Sequence, residues 1–153
     1  MKKQKSIGNK GFSLVELIIV IAIMAILIGV MAPQLLKYVE RSRESSDKQV
    51  ADTVRTAVVT AMLDPAVEDA PGSPTAFNDS LTKLLALSSS PDFVDAVSAT
   101  LNGESATEIN ARLKSKEYKP AAGADAFLIN IDGTKVTVTM KSAKSGGTDY
   151  VIK

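Results

Sequence analysis

The sequence has no cysteine, no histidine and no tryptophan among its 153 residues. Without cysteine there is no disulfide within the chain, no thiolate nucleophile and no cysteine-based metal site. Without histidine the chain lacks Ser-His-Asp chemistry and the commonest transition-metal ligand. These absences exclude many classes of enzyme. We expect no catalytic residue, no cofactor and no metal.

Charge is nearly balanced in total but unevenly distributed, with a formal net charge of +1. Residues 1–11 hold four lysines and no acidic residue, so residues 12–153 hold 14 of the 18 basic residues and all 17 acidic ones. Apolar residues make up 45% of the chain, which is not the composition of a disordered protein. A basic leader before an apolar segment stays on the cytoplasmic side of a membrane.

The apolar segment covers residues 12–32, in which only Ser13 and Glu16 are polar. As a helix it is about 30 Å long, the hydrocarbon thickness of a bilayer. A secretory signal peptide fits poorly, because Pro33 directly follows the segment where a cleavage site is expected. A plain membrane anchor leaves Glu16 unexplained, since an acid inside hydrocarbon costs a few kcal/mol.

Residues 11–16, GFSLVE, resemble the processing site of type IV prepilins. The shared features are a short basic leader, a glycine before the cut, a phenylalanine after it and a glutamate fifth in the mature chain. The apolar run and Pro33 at its end also match that family. The resemblance covers about residues 1–40, a quarter of the chain.

This resemblance implies an order of processing and assembly steps. A prepilin peptidase would remove the leader, residues 1–11, by cutting between Gly11 and Phe12, and would methylate the new amine of Phe12. The precursor would be a single-pass protein of the inner (cytoplasmic) membrane. An assembly machinery with its ATPase would then extract identical subunits into a helical filament, an extracellular pilus on the cell surface.

Glu16 has a physical reason to matter in such a filament. Cleavage makes the Phe12 amine a cation near the head of an apolar helix, and Glu16 is an anion one turn later. A carboxylate in apolar surroundings requires a cation at close range, and such a pair fixes register more than it stabilises. We favour the Phe12 amine of a neighbouring subunit as the partner; an intramolecular pair with the chain's own amine is the alternative.

The chain departs from many relatives in two places. Where they carry a glycine two to three turns before the proline, this chain has Ala25, and Gly29 lies one turn before Pro33. Glycine and proline both weaken a helix, so we expect any helix break in the filament at Gly29 and Pro33. Many relatives also close their C-terminal region with a disulfide, which this chain cannot form.

The pattern beyond the apolar segment predicts an α+β fold, with a long N-terminal helix packed on a C-terminal antiparallel β-meander and a helical insertion between them. The helix comprises a membrane and filament-core half, 12–34, and an amphipathic half, 35–63, with Arg43–Asp47 and Glu44–Lys48 as ion pairs. Loops and short helices fill 64–125. Period-two alternation predicts a three-stranded sheet over 126–153, with a hairpin at Asp132-Gly133.

Two possible binding functions have weak support. Asp125, Asp132 and Asp149 lie near predicted turns and could suggest calcium, but aspartate is common in turns and the spacing matches no compact calcium loop. DNA binding stays open, because the basic residues of the globular part cluster only around one short helix end, at residues 112–119.

The leading functional interpretation is therefore a pilin, specifically the major subunit of a type IV pilus. The alternative is a pseudopilin of a type II-like secretion system or of a competence system that imports DNA. A membrane-anchored binding domain is a weaker alternative, since no ligand constellation is visible. The sequence does not distinguish motility, adhesion and DNA uptake.

Overall fold

A computed structural model describes residues 11–68 and 74–153. A long helix near the amino terminus precedes an antiparallel sheet, which confirms the predicted α+β class. The elements in chain order are α1 (Leu14–Met62), α2 (Pro65–Glu68), β1 (Ala76–Ser80), α3 (Leu81–Leu84), α4 (Pro91–Thr100), α5 (Ala106–Ala111), β2 (Phe127–Asp132), β3 (Lys135–Met140) and β4 (Tyr150–Ile152). The basic leader before Gly11 lies outside the described residues.

The chain divides into two compact units, one ending at Tyr38 and the other covering Val39–Lys153. The described part of the first unit is the beginning of α1 with the three residues before it. Its side chains are exposed throughout. The second unit contains the rest of α1 and all the other helices and strands.

The core of the second unit forms around one face of α1. Val50, Val54 and Val58 recur every four residues and are buried. They share one buried cluster with the inward-facing residues of strands β2 and β3, which are Phe127, Ile129, Ile131, Val136, Val138 and Met140. The predicted packing of the amphipathic helix on the dry face of the sheet is confirmed.

The sheet has four strands in the order β1-β2-β3-β4, and each neighbouring pair is antiparallel. Three strands were predicted, so the prediction was wrong by one. The additional strand, Ala76–Ser80, lies in the segment predicted to be loop and pairs with β2. Its sequence, AFNDS, has no apolar alternation, and none of its residues is fully buried. The strand is therefore held by its pairing with β2 at the edge of the sheet, and not by an apolar pattern of its own.

Two local predictions agree with the structure. The β2–β3 loop consists of Gly133 and Thr134, with φ of +58° at Gly133, which fits a two-residue type II′ turn with glycine first. Ser105 opens α5 with a complete capping box, because its hydroxyl accepts from the Glu108 N–H while the Glu108 carboxylate accepts from the Ser105 N–H.

The predicted ion pairs of α1 are wrong in their partners. Asp47 is fully buried and accepts backbone hydrogen bonds from Lys114 N at 2.9 Å and Ser115 N at 2.8 Å. Arg43 instead lies 3.7 Å from Glu40. A buried carboxylate needs donors, and the turn after α5 supplies two N–H groups that would otherwise be unsatisfied.

The other predicted pair is also replaced by a longer-range contact. The ammonium of Lys48 lies 5.1 Å from the ring centroid of Tyr150 on β4, a cation–π distance. Sequence spacing alone identifies neighbours on one helix, whereas Tyr150 lies on the last strand of the chain.

Candidate functional site

The predicted cleavage site lies directly before the first helix. Gly11 and Phe12 adopt neither helix nor strand, and α1 begins two residues later at Leu14. Phe12 is 94% exposed, so the Gly11–Phe12 peptide bond is accessible from solvent. A Cβ built on Gly11 meets no atom of the described residues within 4 Å, its chain neighbours apart. The described part of the fold therefore does not require glycine at this position.

Glu16 has a local partner that the sequence interpretation did not include. The backbone N–H of Ser13 donates to Glu16 Oε2 at 2.8 Å, and Leu17 N donates to the Ser13 carbonyl at 3.2 Å. Ser13 thus occupies the cap position of α1, and Glu16 reaches back to it as the third helical residue. The spacing Ser-x-x-Glu, typical of a capping box, was the signal for this contact. Within the described residues, Oε1 of Glu16 accepts no hydrogen bond.

The apolar part of α1 is fully available for contacts outside the chain. The exposed fraction is 51% for Ile18, 68% for Ile26 and 72% for Leu36. One helix, α1, is long and apolar enough to cross a membrane by length and composition, and none of its most apolar stretch is buried. An apolar surface of this extent marks a membrane or protein interaction site.

Gly29 and Pro33 both lie inside α1, which is assigned as one helix from Leu14 to Met62. A Cβ on Gly29 meets nothing within 4 Å, so no neighbouring side chain of the chain requires glycine there. Pro33 removes one helical hydrogen bond, since it has no N–H. The expected break concerns the filament and stays a prediction.

The three aspartates considered for calcium bind separate partners. Asp125 accepts from Thr82 N at 2.9 Å and Asn110 Nδ2 at 3.1 Å, and Asp149 accepts from Ser142 N at 2.8 Å. Asp132 is exposed at the end of β2. Within residues 11–68 and 74–153, no group of three or more carboxylates is placed to hold a metal ion.

Burial raises the pKa of Asp125, but the hydrogen bonds from Thr82, Asn110 and Phe127 outweigh that effect and hold its pKa below the usual value. The ionised carboxylate thus joins α3, α5 and the start of β2. A cleft beside it is lined by the loop 120–124 together with residues of α3 and α5. Since its carboxylate is already occupied, Asp125 has a structural role.

The comparisons with known proteins cover only part of the chain. Residues 8–32 match the family model described as "Prokaryotic N-terminal methylation motif". No solved structure matches the chain significantly.

Among curated proteins, a "Type IV major fimbrial protein FimA" of Dichelobacter nodosus is 38% identical over 85 residues, covering 47% of this chain and 53% of the relative. A second protein of that name and organism is 44% identical over 56 residues, covering 37% of this chain and 36% of the relative. The chain thus spans about half of the first relative's length and about a third of the second's.

In this chain an exposed apolar helix near the amino terminus precedes an antiparallel sheet. The matched methylation motif and the similarity to major fimbrial proteins support the type IV pilin family for this chain. That family is one of structural pilin subunits.

Proposed function

We propose that the chain is the major structural subunit of a type IV pilus, and not an enzyme. One observation carries this proposal: the apolar beginning of α1, exposed from Leu14 to Ala32, contains a single carboxylate, Glu16, which lies four residues after Phe12 of the prepilin-like Gly11-Phe12 motif. The helix holds the precursor in the cytoplasmic membrane. After assembly the same surface is covered by the helices of identical subunits in an extracellular filament.

Processing prepares the assembly contact. A prepilin peptidase removes residues 1–11 and methylates the amine of Phe12, which retains its positive charge. Ser13 N–H occupies one oxygen of Glu16, and the other oxygen remains available for a cation. In the staggered filament that cation is the Phe12 amine of a neighbouring subunit, and the pair sets the register between subunits.

The length of the apolar segment suits both the lipid bilayer and the core of a filament. A bilayer core needs about 20 apolar residues, and a filament core needs an apolar helix face on every side. Extraction from lipid into the filament replaces one apolar surrounding with another, so the helix gains little free energy from the transfer. An ATPase-driven machinery supplies the work of moving the subunit out of the membrane. Gly29 and Pro33 place the weakest part of the helix where it leaves the apolar segment.

The experiment that tests the proposal is electron microscopy of material sheared from the cell surface, with intact mass and N-terminal sequencing of the protein recovered. Filaments whose subunits begin at methylated Phe12 are expected. Subunits that begin at Met1, or after Ala32, would contradict the proposal.

A further inference from the structure

The last part of the chain, residues 141–153, lies at one edge of the sheet, and we call it the strap. It comprises the loop 141–149 and strand β4, and none of its side chains is fully buried. Strand β4 pairs with β3 at only three positions, from Tyr150 to Ile152. Segments with few buried apolar contacts open at the lowest free-energy cost, so the strap depends on its polar contacts.

Glu117, in the loop between α5 and β2, binds the strap through both its side chain and its backbone. Its carboxylate accepts from Ser142 Oγ at 2.7 Å and from Lys144 Nζ at 2.5 Å. Its carbonyl oxygen accepts from Ala143 N at 2.6 Å. The Glu117 side chain is only 16% exposed, so these contacts are partly shielded from salt. One residue of the second unit therefore holds three consecutive residues of the strap.

The loop of the strap is also closed on itself. Ser142 N donates to Asp149 Oδ1 at 2.8 Å, and Gly147 N donates to the Lys144 carbonyl at 3.0 Å. These hydrogen bonds lie within the strap and do not involve Glu117. The strap can therefore leave the sheet as one piece, because its internal bonds are retained when the contacts with Glu117 break.

Gly147 allows the strap to lie directly against Glu117. A Cβ built on Gly147 would lie 2.6 Å from Glu117 Oε1 and closer still to Ser142 Oγ. Among the glycines of the described residues, only Gly147 has another residue's atom within 4 Å of its Cβ position. A larger residue at this position would force the Glu117 and Ser142 side chains to move, so the close approach requires glycine.

The titratable groups around this contact come from α1, from the loop that holds Glu117 and from the strap itself. Glu40 and Glu44 on α1 attract Lys144 in addition to Glu117. Burial raises the pKa of Tyr118, which follows Glu117 in the chain, so its phenol stays neutral at neutral pH. The remaining groups are Asp149 and Tyr150 of the strap, and Lys48 of α1, whose ammonium lies over the Tyr150 ring.

The contact favours the charged forms of both partners. The bonds from Lys144 and Ser142 lower the pKa of Glu117, and the bond to Glu117 raises the pKa of Lys144. The stability contributed by Glu117 is complete above its unfolded pKa of about 4.3 and is lost as pH falls through the lower folded value. That from Lys144 is complete below about 10.4 and is lost as pH rises through the raised folded value. The contact is therefore intact at neutral pH.

We propose that the strap opens as a single unit while the rest of the second unit stays folded, and that Glu117 is the residue that keeps it closed. Opening removes β4 from β3 and uncovers the backbone N–H and C=O groups at that edge of the sheet. An uncovered edge pairs readily with a strand of another chain, so the closed strap protects the subunit from edge-to-edge association. The inference is independent of the proposed function, because it concerns contacts within one chain.

Hydrogen exchange of the full chain in detergent micelles, measured by mass spectrometry of its peptides, tests the proposal. Glu117→Gln should speed exchange of the strap about tenfold at neutral pH, because the charge-assisted bonds are lost. Exchange of β2 should stay at the wild-type rate. Gly147→Ala should also speed exchange of the strap, without a change of charge. Glu104→Gln removes an acid that pairs with Arg112 at 3.0 Å, and as the matched control it should exchange like the wild type.

The same measurement at low pH isolates the charge of Glu117. The difference between wild type and Glu117→Gln should vanish as pH falls through the lowered pKa of Glu117, since both side chains are then neutral. Wild-type exchange of the strap in both Glu117→Gln and Gly147→Ala would overturn the proposal. Equal acceleration of the strap and of β2 would also overturn it, because the strap would then open only when the whole unit unfolds.

Discussion

Asp47 and Ser115 are joined by a hydrogen bond of 2.8 Å from Ser115 N to Asp47 Oδ2, across 68 positions of sequence. The second oxygen of Asp47 takes the N–H of Lys114. One buried carboxylate thereby fastens the turn after α5 to the long helix. In a chain without cysteine, such polar contacts perform the cross-linking that a disulfide would otherwise supply.

Asp47→Ala should destabilise the globular unit by about 1–3 kcal/mol, because two backbone N–H groups lose their acceptor. Asp47→Asn keeps one acceptor oxygen and should lose less. The measurement is urea unfolding of a fragment starting at about residue 36. Asp52→Ala, an exposed acid on the same helix, serves as the control and should unfold like the wild type. Equal stability of Asp47→Ala and the control would show that the contact contributes nothing.

The lowered pKa of Asp125 predicts that its contribution to stability depends on pH. Its pKa in the folded state lies below the usual value, so the stability it contributes is complete above the unfolded pKa of about 3.9 and disappears as pH falls through the lower folded value. Asp125→Asn should therefore be less stable than the wild type at neutral pH, and the difference should shrink in strong acid. Unfolding curves of both proteins over that pH range check this; a constant difference would contradict it.

Much of the fold could be predicted because its signals are local. The long helix follows from apolar and amphipathic periodicity, and β2 and β3 from strict alternation around Asp132-Gly133. The capping box at Ser105 needs only four residues. Periodicity indicates which side chains of one element are buried, and the capping box indicates hydrogen bonds within one helical turn.

The features of the fold that were not predicted depend mostly on contacts between distant parts of the chain. Strand β1 has a weak pattern and is ordered by pairing with β2. Asp47 looked like a partner for Arg43, but its donors lie 67 and 68 residues away. At the amino terminus, the motif predicts roles for Gly11, Phe12 and Glu16, whereas the Ser13–Glu16 contact was missed although its spacing is local.

The fragment from about residue 36 onward should fold cooperatively with or without reductant, since the sequence contains no cysteine. Within it, Val54→Ala removes two methyl groups from a residue that is 1% exposed and should cost about 1–3 kcal/mol. Thermal melting is the measurement. Thr53→Ala, at an exposed position next to it, is the control. A negligible change for Val54→Ala would show that this helix face does not support the sheet.

Processing at Gly11 should depend on the peptidase rather than on the fold. Among the described residues beyond its chain neighbours, no atom lies within 4 Å of the Cβ position of Gly11, so substitution should leave the folded unit unchanged. Gly11→Ala should slow cleavage mildly, and a bulky residue such as leucine should block it. Intact mass of membrane-bound and surface protein distinguishes precursor from mature chain. Normal cleavage of Gly11→Leu would place the processing site elsewhere.

The role of Glu16 in assembly is tested by Glu16→Ala. The variant should be cleaved, inserted and folded, and its helix should insert into lipid more readily, because an intramembrane charge costs a few kcal/mol. Filament assembly should fail or fall sharply, since the anion that attracts the incoming Phe12 amine is absent. The measurement is filament yield in the sheared fraction relative to total membrane-bound subunit. Asp52→Ala, the loss of an exposed acid farther along α1, is the matched control.

Glu16→Gln separates charge from hydrogen bonding in the same assay. Glutamine can still accept the Ser13 N–H, so the capping contact is retained while the attraction for the amine is lost. If register depends on charge, Glu16→Gln should assemble as poorly as Glu16→Ala, and co-expression with wild type should give filaments containing few mutant subunits. Full assembly of Glu16→Gln together with failure of Glu16→Ala would assign Glu16 to capping its own helix. Normal yield from both variants, with normal processing, would remove any assembly role for this carboxylate.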